Sequence, residues 1–135
     1  MSLMLDTNVL LDILTADPKW LAWSTARFRE ASAVGPVPIN PIIYAELAGG
    51  FDSRAELDHW LQPSRFKRLP LPFEAGFRAA RAFLDYRRSG GPRTSPLPDF
   101  YIGAHAETAG FTLVTRDTAR YRSYFPKLKL ITPDD

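Results

Sequence analysis

Leu3-Met4-Leu5-Asp6-Thr7-Asn8-Val9-Leu10-Leu11-Asp12 is the stretch on which the fold turns. A short apolar run reads as a strand over 3–5, ending in the polar turn Asp6-Thr7-Asn8. Val9-Leu10-Leu11 and Ile13-Leu14 then read as a short buried helix. A strand handing over to a helix through a carboxylate is one unit, and the stretch from Phe111 to Asp117 has the same form.

Asp17-Pro18 pairs a capping residue with proline at the first helical position, which predicts a helix reaching about residue 33 with Leu21, Phe28 and Trp20 inward. Gly35-Pro36 stops it, and Val37-Pro38-Ile39 reads as a second strand whose prolines restrict its pairing. Asn40-Pro41 repeats the cap-then-proline signature and opens a helix over 42–48. Ser53-Arg54-Ala55-Glu56 fits a capping box for a helix over 54–62, and 66–71 reads as a third strand. Phe73, Phe77, Ala80 and Leu84 recur at helical spacing and predict the inward face of the next helix. Residues 89–98 form a Gly/Pro/Ser loop before a helix over 99–109, stopped by Gly110. Phe111 to Thr115 is the strongest strand; a short helix over 118–124 and a last strand over 128–131 follow it. Strands alternating with helices predict an α/β fold of three layers, a central parallel sheet with helices on both faces.

Length and composition agree with one domain over 1–135. A chain of 135 residues buries enough surface to fold without staples. The absence of cysteine excludes disulfides, thiol nucleophiles, zinc–thiolate sites and iron–sulfur clusters. Only two histidines, His59 and His105, leave little room for imidazole metal sites. No run approaches the roughly 20 apolar residues of a membrane span, and the start lacks a signal segment, so the expectation is a soluble cytoplasmic protein with no membrane contact. A net charge of +2 says little about nucleic acid, because clustering rather than the sum makes the footprint.

In open parallel sheets, ligands bind beyond the carboxyl ends of the strands. Asp6 follows the first strand and Asp117 the 111–115 strand; Glu46 lies two turns into the helix after the second strand, and Asp99 opens a later helix. Each aspartate taken alone has a plain alternative as a helix cap or turn residue. Glu46 has no capping task, and it shares a face with Ile42 and Ile43, where a carboxylate needs a partner such as a metal ion.

Four stretches in this order carry a resemblance: Met4 to Asp12, Ile43-Tyr44-Ala45-Glu46-Leu47, Leu97-Pro98-Asp99-Phe100-Tyr101-Ile102-Gly103-Ala104-His105-Ala106, and Leu113-Val114-Thr115-Arg116-Asp117 continuing through Tyr121, Tyr124, Phe125 and Pro126 to Leu130-Ile131. The chain resembles the PIN-domain ribonucleases, and among them the VapC toxins of type II toxin–antitoxin pairs. The resemblance implies a catalytic metal site of Asp6, Glu46, Asp99 and Asp117, with Thr7, Asn8 and Thr115 orienting these ligands. It further implies Mg²⁺- or Mn²⁺-dependent cleavage of RNA as a toxin, neutralisation by a cognate antitoxin, and a homodimer. Residues 49–96 match poorly.

Four carboxylates without cysteine suit Mg²⁺ or Mn²⁺ and not zinc or copper. Arg116 beside Asp117, and Arg93 in the loop, are candidate phosphate contacts. Asp12 reads as a helix-surface or capping residue, with support of the site as its other reading; His105 reads as packing, with a general base as its other reading, and His59 as structural. Trp20, Trp23 and Trp60 are either core or an aromatic groove for an antitoxin segment. An aspartyl nucleophile at Asp6 lacks its usual partner, since Asn8 fills the second position of the Asp-x-Asp pattern. The competing function is a non-catalytic PIN-like domain for RNA binding or protein docking.

Overall fold

A short uniformly apolar strand can be stable only where both of its faces are covered, since alternate residues point to opposite sides. In the computed structural model, which describes residues 2–90 and 97–134, every residue of β1 (Leu3–Leu5), β2 (Val37–Ile39) and β4 (Thr112–Val114) is buried. β3 (Phe66–Arg68) and β5 (Leu130–Ile131) are more exposed and stand at the two edges. All pairings are parallel: β1 with β4, β4 with β5, and β2 with β3. The expected α/β layering is therefore present, with helices covering the central strands.

The sheet is nevertheless not one continuous ladder. β2 lies against β1, but the hydrogen-bonded order is β1-β4-β5 and, separately, β2-β3. Sequence explains the gap. Val37 N–H donates to the Arg65 carbonyl and Leu69 N–H to the Ile39 carbonyl, so residues 37 and 39 face β3. Residue 38 faces the other way, toward β1, and as proline it has no N–H to offer.

The helices are α1 (Thr7–Leu14), α2 (Leu21–Val34), α3 (Pro41–Ala48), α4 (Arg54–Trp60), α5 (Phe73–Arg88), α6 (Leu97–Ala109) and α7 (Thr118–Tyr124). Their starts follow local chemistry: Asn40 Oδ1 accepts from Ile43 N–H and Ser53 Oγ from Glu56 N–H, as the sequence predicts. Gly110, at φ +74°, ends α6 in the left-handed conformation.

Two expectations are corrected. The Asp17-Pro18 signature opens a turn, not the helix: Asp17 Oδ1 accepts from Lys19 and Trp20 N–H, α2 begins at Leu21, and Leu21 is exposed while Ser24 and Ala31 are buried. On α5 the inward face is Ala75, Ala79 and Ala82; Phe73 is fully exposed, and Phe77, Ala80 and Leu84 also face outward. α5 packs along α6, and alanines let the two backbones approach where phenylalanines would hold them apart. Tyr86 and Phe83 close that seam over Phe100. Among the described residues, no helix is long and apolar enough to cross a membrane.

Candidate active site

β1 has neighbours on both sides, β4 and β2, so chain direction diverges from it and a crevice opens at the carboxyl ends of the strands. Asp6 extends β1 into that crevice: its N–H still donates to the Val114 carbonyl, 2.8 Å. Its carboxylate is enclosed by donors. Oδ1 accepts from Thr7 N–H at 2.8 Å, while Oδ2 accepts from Thr115 Oγ1 at 2.8 Å, Tyr121 OH at 3.2 Å and Asn8 Nδ2 at 3.4 Å. Asp6 is thus both the cap of α1 and the buried floor of the cleft; the two readings of this residue coexist.

Glu46 on α3, Asp99 in the first turn of α6 and Asp117 ahead of α7 line the same cleft, with Thr7, Asn8, Leu11 and Arg120. Thr7 Oγ1 donates to Glu46 Oε1 at 2.7 Å, joining α1 to α3. Glu46 itself is exposed, so the argument that an apolar helix face strands its carboxylate does not hold; the glutamate stands at the cleft edge with Thr7 as its partner. Asp117 makes no side-chain cap bond to α7; instead its N–H donates to Thr115 Oγ1 at 3.0 Å, and its carboxylate turns to the cleft. Thr115 therefore couples Asp6 and Asp117, and all three polar neighbours picked out by sequence touch the acidic cluster.

The electrostatics are those of crowded carboxylates taken from water. Burial pushes the Asp6 carboxyl up to about 6, against the pull of its bonds from Thr115 and Thr7 and with a further push from Asp99. Partial desolvation raises Glu46, opposed by the Thr7 bond, and raises Asp99, opposed by Arg120 and reinforced by Asp117. Tyr121 is held well above the usual phenol value by burial and by Asp6 beside it, so its hydroxyl stays a donor.

Four carboxylates with hydroxyl and amide neighbours make an all-oxygen donor set, which fits a hard divalent cation. Among the described residues, no three acidic or histidine side chains yet converge as a metal cage. Arg120 stands between two of them, with Nη1 at 2.9 Å from Asp99 Oδ2 and 2.8 Å from Asp117 Oδ2. Sequence reading passed over Arg120 and the role of the Tyr121 hydroxyl. Both lie one helical turn past Asp117, but that spacing alone does not place them in the cleft.

Other candidates have different surroundings. Asp12, read as a surface or capping residue, is buried. It accepts from Ser24 Oγ and takes a two-pronged bond from Arg116, Nε and Nη2 at 2.8 and 2.9 Å. The Arg116 guanidinium also lies 5.1 Å from the Trp20 ring centre. Removing Arg116 leaves a buried carboxylate with one hydroxyl partner, so Arg116→Ala is expected to lower stability by about 2–3 kcal/mol in urea unfolding. A loss under about 0.5 kcal/mol, the level of an ordinary surface change, would return Arg116 to a purely phosphate-facing role. Arg93 lies outside the described residues.

His105 is buried between Asn40 Nδ2, 3.0 Å from Nδ1, and Phe111. Burial lowers its pKa, and it lies outside the acidic cleft. The tryptophans do not form one groove: Trp20 meets Trp23 edge-on, while Trp60 stacks on Phe66 at 5.5 Å.

A family model for the PIN domain matches residues 3–125. No curated protein matches the chain. Among solved structures, the chain is similar to VapBC2 from Rickettsia felis bound to a promoter DNA fragment, at 21% identity and TM-score 0.74 over 98% of each chain. It is similar to VapBC-1 from nontypeable Haemophilus influenzae at 20% identity and TM-score 0.73 over 100% of each. FitAcB from Neisseria gonorrhoeae follows at 21% identity and TM-score 0.67 over 97% of each. At these identities the likeness is one of fold.

Proposed function

Because the chain belongs to the PIN-domain family, we propose that it is a VapC-type toxin, a Mg²⁺- or Mn²⁺-dependent endoribonuclease held inactive by a cognate antitoxin. The observation that carries the reading is that Asp6, Glu46, Asp99 and Asp117, from four separate elements, line one cleft at the carboxyl ends of the strands. Support for the partner comes from a solved structure of the same fold, a toxin–antitoxin complex from Klebsiella pneumoniae, similar at 20% identity and TM-score 0.70 over 98% of each chain. A homodimer and a cytoplasmic location belong to the same proposal.

The carboxylates of Asp6, Glu46, Asp99 and Asp117 would hold the metal, which when bound lowers the pKa of a water and neutralises phosphate oxygens. The protein's own tasks are positional. Thr115 and Tyr121 fix the Asp6 carboxylate with two hydroxyl donors; Thr7 fixes Glu46. Both arrangements keep Asp6 and Glu46 aimed at the cleft before anything binds. Attack by water leaves 5′-phosphate and 3′-hydroxyl ends and makes no use of the 2′-hydroxyl.

The test is cleavage of total cellular RNA by antitoxin-free protein with Mn²⁺ or with EDTA, beside Glu46→Gln and Asp99→Asn. Discrete fragments are expected only with metal and only from the unmodified protein. Ends carrying 2′,3′-cyclic phosphate would refute metal-assisted hydrolysis. RNA retained without cleavage would instead favour a non-catalytic PIN-like binding or docking domain.

A further inference from the structure

The cleft holds four carboxylates and, among the described residues lining it, one cation, Arg120. Arg120 rises from the first turn of α7, three residues past Asp117. A single nitrogen, Nη1, contacts Asp99 Oδ2 and Asp117 Oδ2 at 2.9 and 2.8 Å. Its side chain is about three-quarters buried, 25% exposed, and the guanidinium lies 5.9 Å from the centre of the Phe100 ring, which forms one wall for it.

One positive nitrogen touching an oxygen from each of two carboxylates is the contact pattern of a bridging cation. A hard divalent ion held by Asp99 and Asp117 would compete for these carboxylates, and the guanidinium could not keep both of its bonds beside it. The geometry therefore points to Arg120 as a resident counter-cation: it occupies the Asp99–Asp117 position in the metal-free protein and must leave it when a divalent ion binds there. Asp99 and Asp117, from different helices, can face each other without an ion because Arg120 neutralises one charge between them. Among the described residues no three acids are gathered as a cage, and two of the cleft's acids are bonded to the arginine. Arg120 is in this sense a positioning residue that sets the metal affinity. The inference rests on the metal-dependent reading above and adds a competitor to it.

The experiment is Mn²⁺ binding by calorimetry, with no RNA present, on the unmodified protein, Arg120→Gln and Arg122→Gln. The last removes the same charge from an exposed position of the same helix. Arg120→Gln is expected to bind Mn²⁺ roughly tenfold more tightly or better, the scale of one lost competing ion pair, while Arg122→Gln changes affinity less than twofold. Its thermal transition should fall in EDTA and gain more on adding Mn²⁺ than the unmodified protein does. Arg120→Lys, which keeps the charge but not the planar fork, provides a second variant if the glutamine protein folds poorly, and should fall between the two. Equal or weaker Mn²⁺ binding by Arg120→Gln would overturn the inference and leave the metal-dependent reading standing, because the unmodified protein would still bind. Absence of Mn²⁺ binding in every variant would overturn both.

Discussion

Asp6→Asn is expected to abolish RNA cleavage and at the same time to raise the stability of the metal-free protein at pH 7.5. The loss of activity should exceed the roughly 10–100-fold typical of residues that only support a metal ligand, since Asp6 is the most enclosed of the four acids. The gain in stability follows from burial. Burial pushes the Asp6 carboxyl up to about 6 in the folded protein, from an ordinary value of 3.8 in the unfolded chain. Between those values the folded state holds a proton that the unfolded chain releases, so stability falls as pH rises through the window. Above pH 6 the full penalty of the buried charge is present, about 3 kcal/mol; below pH 3.8 it is gone. Glu46 and Asp99 are shifted in the same direction by the same cause.

Asparagine removes that charge but cannot reproduce every bond. Its Oδ1 can still accept from Thr7 N–H, whereas its amide would face the donors that now converge on Oδ2. The net gain is therefore set at about 1–2 kcal/mol in EDTA at pH 7.5, or roughly 3–6 °C in Tm for a domain of this size. It should vanish near pH 4, and Mn²⁺ should stabilise the unmodified protein more as pH rises, because binding requires deprotonated ligands. An Asp6→Asn protein less stable than the original at pH 7.5 in EDTA would mean that the carboxylate is a net stabiliser through its cap and hydroxyl bonds.

What the sequence makes legible here is what local chemistry determines. Leu3-Met4-Leu5, the caps Asn40 and Ser53, and the stop at Gly110 are each specified within a few residues, and each appears where it is expected. The acidic positions are legible because strand ends and helix starts place them. Long-range packing is not local. The periodic Phe73, Phe77, Ala80 and Leu84 look like a core face, but the close fit of α5 on α6 selects Ala75, Ala79 and Ala82. Arg116 adjoins Asp117 in sequence, yet after β4 the backbone directs it to Asp12, whose own burial depends on α2 supplying Ser24. Arg120 and Tyr121 enter the site only because α7 turns back across α6, and no period in the sequence reports that crossing.

The crossing itself yields the other large effect. Gly103 on α6 is buried where Tyr121 and Phe125 of the α7 segment pass. A Cβ at this position would lie 2.8 Å from Tyr121 Cε1 and 2.9 Å from Phe125 Cε2, inside van der Waals contact. Both rings are fully buried, so neither can swing clear. Alanine ordinarily favours a helix over glycine by about 0.8–1 kcal/mol, but overpacking a filled core costs about 1–3 kcal/mol, and at these distances the upper end should win. Gly103→Ala is expected to lose about 1–2 kcal/mol net. It should also impair cleavage, because the displaced Tyr121 ring carries the hydroxyl that donates to Asp6 Oδ2 and to the Asp99 carbonyl. Gly76→Ala is the matched comparison: on α5 its Cβ would meet Tyr101 no closer than 3.7 Å, so the helix preference acts alone and stability should rise by about 0.5–1 kcal/mol. Urea unfolding of the two variants side by side checks the argument. If both alanines stabilise, α7 does not press on α6 at Gly103, and the route by which Tyr121 reaches Asp6 is wrong.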